Sequence, residues 1–232
     1  MLPDSSVIAG ARKPVLQHHF ADMQQQRAAS SLGMWLFLAT EIMFFGGMFC
    51  AYLIYRLWYY PEFAAGSNSL NIVLGTVNTA VLICSSLTVV LAVRAAQLGK
   101  RRPQVVYLAL TLILGLAFLG IKAVEWTSKF KEHHVPTATF HFEGTVPGHP
   151  DEPVDQGHAQ VFFSLYFAMT GMHALHMIIG VGLFTVLLFC AWKGRYTPEY
   201  HTPLENSGLY WHFVDIIWIY LFPLLYLIDR KK

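Results

Sequence analysis

The chain has 232 residues, of which 55% are hydrophobic and 13% are charged, whereas soluble domains carry about 25% charged residues. This composition excludes an ordinary soluble domain and indicates a membrane protein. The formal net charge of only +2 provides no basic surface for a nucleic acid, so we expect no nucleic-acid partner.

Residues 1–31 are polar and mixed in charge, and they lack the apolar core of a signal peptide. We predict that they form a cytoplasmic arm and that the next run is an uncleaved signal-anchor helix. Five apolar runs follow, each long enough to span a bilayer, which takes roughly 20 helical residues. The runs are 32–58, 70–94, 104–127, 160–192 and 207–228. The fourth is over-long, which predicts a tilt or a surface extension. The sequence therefore predicts an all-α fold, with one integral membrane domain of five transmembrane helices over residues 32–229.

The basic residues that flank the runs predict the orientation. With the N-terminus inside, nine lie on the cytoplasmic side and six outside, and the short early loop at Lys100 weighs most in the positive-inside rule. The inner set is Arg12, Lys13, Arg27, Arg94, Lys100, Arg101, Arg102, Lys193 and Arg195, and the outer set is Arg56, Lys129, Lys131, Arg230, Lys231 and Lys232. The basic C-terminal tail opposes this assignment. We predict a cytoplasmic N-terminus and an external C-terminus.

The longest loop, 128–159, is then external. It contains five histidines whose spacing fits no standard metal pattern, so we interpret it as a solvated, turn-rich loop rather than a metal site. These histidines are His133, His134, His141, His149 and His158. The three cysteines, Cys50, Cys84 and Cys190, lie in apolar runs and are interpreted as small buried hydrophobes.

Three ionisable residues lie within the first and third runs. A charge in hydrocarbon costs about 3 kcal/mol or more, so such groups normally face protein and are paired. Glu41 lies ten residues past Ser31, about 15 Å into the membrane at the rise of a helix. It has no ionisable neighbour in its own helix, so it is either a packed, neutral acid or part of a proton or lipid-facing site. Lys122 and Glu125, three residues apart near the outer interface, predict an intrahelical ion pair.

Four more polar residues fall in the fourth and fifth runs: His173, His176, His212 and Asp215. They are predicted to share the cytoplasmic half of the membrane, buried on facing sides of these helices and hydrogen-bonded to one another or to Glu205. The simplest interpretation is a His212–Asp215 pair that fixes helix packing, beside two satisfied core histidines. The alternative is a zinc or iron site built from all four residues.

Five sequence elements, one in each run, together resemble a known family. They are Glu41-Ile42-Met43-Phe44-Phe45; Leu74 with Asn78-Thr79; Lys122 with Glu125-Trp126; Thr170-Gly171-Met172-His173-Ala174-Leu175-His176-Met177-Ile178-Ile179-Gly180; and Glu205 followed by Tyr210-Trp211-His212-Phe213-Val214-Asp215. In this order and on these runs, they resemble subunit III of the haem-copper cytochrome c oxidases. The likeness extends from about residue 27 to the end of the chain.

The resemblance implies an accessory subunit of a proton-pumping oxidase in aerobic electron transport. In that family subunit I carries the haems and copper, and subunit II commonly receives electrons from cytochrome c. Subunit III packs directly against subunit I, protects it during turnover, helps to sustain proton uptake and binds phospholipid. The resemblance implies no catalytic, cofactor or metal residue here. It leaves Glu41, Lys122, Glu125, His173, His176, Glu205, His212 and Asp215 as intramembrane polar groups related to protons or lipid.

The chain departs from the longest family members, which have seven transmembrane helices. It corresponds to their last five, whereas the first two form one wall of a lipid-filled cleft. A five-helix form is known among bacterial members, so the resemblance implies a bacterial inner membrane with a periplasmic C-terminus. Three alternatives remain: an accessory subunit of a quinol oxidase or nitric oxide reductase, a free-standing metalloenzyme using the four-residue group, and a proton-coupled transporter using Glu41.

Overall fold

The computed structural model describes residues 20–137 and 140–229. Within them the chain forms six helices and one two-stranded hairpin. The elements are α1 (Met23–Trp58), α2 (Tyr60–Asn68), α3 (Ile72–Gln97), α4 (Arg101–Lys131), β1 (Thr145–Val146), β2 (His149–Pro153), α5 (Gln156–Trp192) and α6 (Thr202–Tyr226).

Five of these helices, α1, α3, α4, α5 and α6, are long and apolar enough to cross a membrane. The predicted all-α membrane bundle is thus confirmed. The over-long fourth span is confirmed as well: α5 has 37 residues, or about 55 Å of helix for a hydrocarbon core of about 30 Å.

The first helix begins earlier than the apolar pattern predicted. The Asp22 side chain accepts a hydrogen bond from the Gln25 backbone N–H at 2.7 Å, and the Gln25 side chain accepts one from the Ala21 N–H. This reciprocal capping starts α1 at Met23, so the last residues of the predicted arm are helical. The part of the arm before residue 20 lies outside the described residues.

The short helix α2 was not predicted. It begins after Tyr59, with Pro61 in its first turn, a position that suits proline because the first helical N–H groups need no intrahelical acceptor. Its buried side includes Phe63, whose ring packs edge-on against Phe162 of α5 at a centroid distance of 5.3 Å. The connection between the first two spans therefore folds back onto the bundle.

The last helix is central and the first is peripheral. Of their most apolar stretches, 56% is buried in α6 and only 17% in α1. Close contacts to α6 depend on small residues, because a Cβ at Gly75 would lie 2.8 Å from the Phe222 ring, and one at Gly115 would lie 2.8 Å from Trp211. Gly180 also packs against Trp211.

Several glycines lie away from the helix contacts, and the interpretation of the cysteines as buried residues was wrong. A Cβ at Gly46, Gly47 or Gly182 would meet nothing within 4 Å, so these three positions face away from the neighbouring helices. Gly171 makes an ordinary contact with Trp126. The cysteines are free, but Cys50 and Cys84 are exposed on the apolar surface rather than buried, and Cys190 is only partly buried. The apolar runs predicted which segments cross the membrane. They did not predict which side of each helix faces the other helices.

The long loop contains the β1–β2 hairpin, which was not predicted, and folds back onto the end of the bundle. The ring of His134 lies between those of Phe142 and Phe163, at centroid distances of 5.1 and 5.0 Å. Burial lowers the pKa of His134, and the nearby charge of Lys129 lowers it further. This histidine is thus a neutral packing group and not a solvated loop residue.

Candidate functional site

Glu41 of α1 is paired with a histidine from another helix. Its Oε2 atom lies 3.1 Å from Nε2 of His176 on α5, and the two side chains are 20% and 10% exposed. Phe45, one turn along α1, packs edge-on against the same imidazole at 5.2 Å. The predicted packed acid therefore has a partner that its own helix did not reveal.

The hydrogen bond of the other imidazole nitrogen determines which tautomer of His176 faces Glu41. Nδ1 of His176 lies 2.8 Å from the Met172 carbonyl oxygen. A carbonyl only accepts, so Nδ1 carries a proton and Nε2 faces Glu41. One further proton is shared between Nε2 and the carboxyl oxygen. Whether it resides on Glu41 or on His176, the pair has no net charge, which suits a position within the membrane.

Lys122 and Glu125 form the predicted intrahelical ion pair, with Nζ 3.0 Å from Oε2. Two tyrosines from other helices hydrogen-bond both members of the pair. Tyr226 Oη lies 2.7 Å and Tyr166 Oη 3.1 Å from the lysine Nζ, and both phenols also hydrogen-bond Glu125 Oε1. The ammonium also lies 5.0 Å from the ring centroid of Trp218.

This cluster joins α4, α5 and α6 at one point. The lysine and glutamate side chains are only 3% and 4% exposed, and each charge is compensated by its neighbour and by phenol groups. A buried ion pair is tolerated when its remaining hydrogen bonds are satisfied in this way. Sequence reasoning missed Tyr166 and Tyr226, since a tyrosine near a membrane surface is more commonly an interfacial anchor.

His173 is buried among aromatic rings. It is 1% exposed and lies 5.4 Å from the Phe118 ring and 5.1 Å from the Trp218 ring. Neither of its ring nitrogens has a hydrogen-bond partner among the described residues. The expectation of a satisfied core histidine is correct about its burial and wrong about its hydrogen bonds.

The predicted His212–Asp215 hydrogen bond is absent. His212 Nδ1 instead lies 2.6 Å from the Ser86 hydroxyl of α3. Neither carboxyl oxygen of Asp215 has a hydrogen-bond partner among the described residues, although the residue is only 2% exposed. The Ser86 hydroxyl is close enough to interact electrostatically with Asp215, but it does not meet hydrogen-bond geometry.

Glu205 lies at the start of α6 and faces an open crevice. Its Oε1 atom accepts a hydrogen bond from Gln97 Nε2 at 2.9 Å and lies 3.2 Å from His201 Nε2. The crevice, with a volume of about 740 Å³, separates the first turns of α1 and α6 from the last turns of α3. Its lining includes the basic residues Arg27 and Arg94 and the apolar residues Val90, Val93 and Leu209.

The four-residue metal site is not assembled. His176 bonds to Glu41, His212 to Ser86, and His173 is enclosed by aromatic rings. In the described part of the chain, no three His, Cys, Asp or Glu side chains form a group that could hold a metal. The expectation that His173, His176, His212, Asp215 and Glu205 would bond to one another is therefore wrong.

These features define a class of protein: a polytopic membrane protein whose intramembrane ionisable groups are mostly paired across helices.

The sequence profile described as cytochrome c oxidase subunit III matches residues 15–144 and 157–229. Cytochrome c oxidase subunit 3 of Gallus gallus is 33% identical over 215 residues, covering 90% of this chain and 72% of that protein. The corresponding protein of Struthio camelus has the same identity and coverage. Cytochrome bo(3) ubiquinol oxidase subunit 3 of Pseudomonas aeruginosa is 30% identical over 195 residues, covering 84% of this chain and 83% of that protein.

The chain belongs to the cytochrome c oxidase subunit III family. It is accordingly an accessory subunit of a haem-copper oxidase, as the five sequence elements predicted. The family membership favours this assignment over the two hypotheses from other classes, a free-standing metalloenzyme and a transporter.

Proposed function

We propose that the chain is subunit III of a proton-pumping cytochrome c oxidase, and that it packs against subunit I to sustain turnover and proton uptake. One observation carries the proposal: the ionisable groups Glu41, Lys122 and Glu125 are engaged with partners from other helices of the same chain. Side chains used in this way hold helices together. They suit a subunit that supports a redox centre in a neighbouring polypeptide.

The experiment is purification of the oxidase with and without this chain. With it, the complex is expected to contain the chain at one copy per subunit I and to show the visible haem spectrum of that subunit. Without it, the haem content and the initial rate should be retained, while activity is lost sooner during sustained turnover. Failure of the chain to co-purify with a haem-bearing subunit, or an unchanged lifetime without it, would contradict the proposal.

We further propose a bacterial inner-membrane location, with the N-terminus in the cytoplasm and the C-terminus in the periplasm. The excess of basic residues on the predicted inner side supports this orientation. Cysteine-accessibility mapping in intact cells tests it. Substituted cysteines at exposed positions such as Glu143 should react with an impermeant reagent added outside, and those at Arg102 should not.

The crevice beside Glu205 supports a phospholipid site. Arg27 and Arg94 in its lining suit a phosphate group, and the apolar side chains of Val90, Val93 and Leu209 suit an acyl chain. Replacing both arginines by glutamine should reduce the co-purified anionic phospholipid, measured by mass spectrometry of the complex. Arg102→Gln is the control, since Arg102 is exposed at the same end of the bundle but does not line the crevice. Equal lipid content in the two variants would contradict the site.

A quinol-oxidising complex is the second candidate. The similarity to the Pseudomonas aeruginosa ubiquinol oxidase subunit, which covers 83% of that protein, supports it. The electron donor separates the two candidates: reduced cytochrome c should drive oxygen consumption by the purified complex in the first case, and ubiquinol in the second.

A further inference from the structure

The start of α1 is packed less tightly than the start of any other membrane-spanning helix that the structure describes. The first buried residue of α1 is Leu38, the sixteenth residue of the helix. Each of the other four buries a residue within its first turn: Gly75 in α3, Gln104 in α4, Ala159 in α5 and Leu204 in α6. A segment with few buried contacts opens at a low cost in free energy. The start of α1 is therefore well suited to move.

The same turns of α1 form one wall of the crevice beside Glu205. Gln24, Arg27, Ala28 and Ser31 line the crevice from α1, whereas its other lining residues belong to α3 and α6. No Cα atom of α1 lies within 8 Å of one of α3, so the crevice separates these two helices. A displacement of the α1 wall changes the width of the crevice without disrupting any packing between α1 and α3.

Hydrogen bonds to α6 and to the loop before it hold this wall in place. Nδ2 of Asn206 lies 2.8 Å from Ser30 Oγ and 3.3 Å from the Ser30 carbonyl oxygen. The Arg27 guanidinium donates to the carbonyl oxygen of Glu199. All of these bonds are exposed, so water competes for the same donors and acceptors. They form a latch that can break and re-form without leaving a buried polar group unpaired.

A glycine follows the wall. Gly33 lies two residues after Ser31, the last residue of α1 that lines the crevice. A Cβ at Gly33 would meet nothing within 4 Å, so no close helix contact requires glycine there. Glycine lowers the stability of a helix, and sequences of Gly and Ser are frequent sites of bending. Beyond Gly33, the contact between Glu41 and His176 holds α1 against α5.

We propose that residues 23–32 of α1 form a flap, hinged at Gly33, that latches against Asn206 and Glu199 and encloses a phospholipid in the crevice. Opening of the flap admits and releases the lipid, and the latched position retains it. The flap rests on the phospholipid site proposed for this crevice, and it adds the route by which the lipid is exchanged.

A covalent latch tests the flap in the purified oxidase complex. Ser30→Cys and Asn206→Cys are combined, and the two thiols are joined by a short bis-methanethiosulfonate reagent or left reduced. Each sample is mixed with chain-deuterated phosphatidylglycerol, and the loss of the bound native lipid is followed by mass spectrometry. The crevice lipid is the fraction that the double variant Arg27→Gln with Arg94→Gln fails to retain.

The joined variant should exchange the crevice lipid severalfold more slowly than the reduced one. The single variant Ser30→Cys, treated with the same reagent, controls for reaction at the native cysteines and should exchange lipid as fast as the reduced double variant. Equal rates in the joined and reduced double variants would overturn the flap. A pair of thiols that the reagent does not join would contradict the contact between Ser30 and Asn206.

Gly33→Ala tests the hinge without introducing a steric clash. Alanine favours a helix more than glycine does, so the stiffened flap should open less often and exchange lipid severalfold more slowly than in the native chain. Gly46→Ala is the matched control, because a Cβ at Gly46 also meets nothing within 4 Å but lies beyond the Glu41 contact. Equal exchange rates for the two variants would overturn Gly33 as the hinge.

The outcomes also separate the flap from the lipid site. If Arg27→Gln with Arg94→Gln leaves the bound lipid unchanged, the lipid site fails and the flap fails with it. If that variant loses lipid but the joined and reduced thiol variants exchange it equally, the site stands and the flap fails. Neither result bears on co-purification of the chain with a haem-bearing subunit, which tests the proposed function.

Discussion

Nε2 of His176 lies 3.1 Å from Oε2 of Glu41, although the two residues are 135 positions apart in the chain. The contact connects the peripheral helix α1 to α5 within the membrane, and the second nitrogen of the imidazole is held by the Met172 carbonyl. A single shared proton keeps the pair neutral, so the contact works as a helix-to-helix hydrogen bond.

Glu41 should affect the lifetime of the complex more than its initial rate. In Glu41→Gln the amide N–H₂ donates to His176 Nε2, so the contact persists and the initial rate should be nearly unchanged. In Glu41→Ala the imidazole loses its partner, at a cost of about 1–3 kcal/mol. Activity recorded over sustained turnover should therefore decay faster in the alanine variant. An immediate collapse of proton pumping in a fully assembled glutamine variant would show instead that Glu41 titrates in the mechanism.

The Lys122–Glu125 pair should depend on both of its members. Lys122→Met leaves the buried Glu125 carboxylate uncompensated, and breaking a buried pair in this way costs about 3–5 kcal/mol. The double variant Lys122→Met with Glu125→Leu removes both charges and should recover much of that loss. Thermal unfolding of the detergent-solubilised complex measures the difference. Lys131→Met serves as the control, since Lys131 is exposed at the end of α4. A double variant less stable than Lys122→Met would show that the two charges do not compensate each other.

Gly115 should tolerate no side chain. A Cβ there would lie 2.8 Å from the buried Trp211 ring, and overpacking of this kind costs about 1–3 kcal/mol. Gly115→Ala should therefore lower the unfolding temperature. Gly182→Ala is the matched control, because a Cβ at Gly182 meets nothing within 4 Å and alanine has the higher helix propensity. Equal unfolding temperatures for the two variants would contradict the close contact between the Trp211 ring and Gly115.

The loop should loosen as the pH falls. Burial against aromatic rings, aided by the charges of Lys129 and His141 and partly offset by Glu132, lowers the pKa of His134 in the folded protein. The unfolded loop then binds the proton more tightly, so the stability supplied by neutral His134 is present above its unfolded pKa of about 6.5. It is lost as the pH falls below that value toward the folded pKa.

Hydrogen exchange of residues 140–146 between pH 5 and 8 measures this effect against two variants at each pH. His134→Phe keeps the aromatic packing without a titrating group and should be protected relative to the native loop at the acidic end. His149→Gln changes an exposed histidine of the same loop that is not among the groups acting on His134, and it should follow the native loop. A native loop that behaves like His134→Phe at every pH would exclude His134 as the titrating group.

Much of the architecture was predictable from the sequence alone. Apolar runs of spanning length predict five membrane helices because lipid satisfies no backbone hydrogen bonds. The i, i+3 spacing of Lys122 and Glu125 predicts their ion pair because residues three apart share one helix face. Both arguments use only the geometry of a single helix, and the structure confirmed both. The family was likewise recognisable from five ordered sequence elements.

Contacts between helices were decided by the tertiary structure. Each residue along a helix turns its side chain by about 100°, so a small rotation of α6 about its axis determines whether His212 meets Asp215 or Ser86. The spacing of His212 and Asp215 favoured a pair, yet the Ser86 hydroxyl of α3 lies 2.6 Å from the imidazole, and among the described residues no group meets hydrogen-bond geometry with Asp215. The hydrogen-bond partners of Lys122, Tyr166 and Tyr226, likewise come from other helices, and so does the partner of Glu41. One helix specifies its own faces, and only the packed bundle specifies which faces meet.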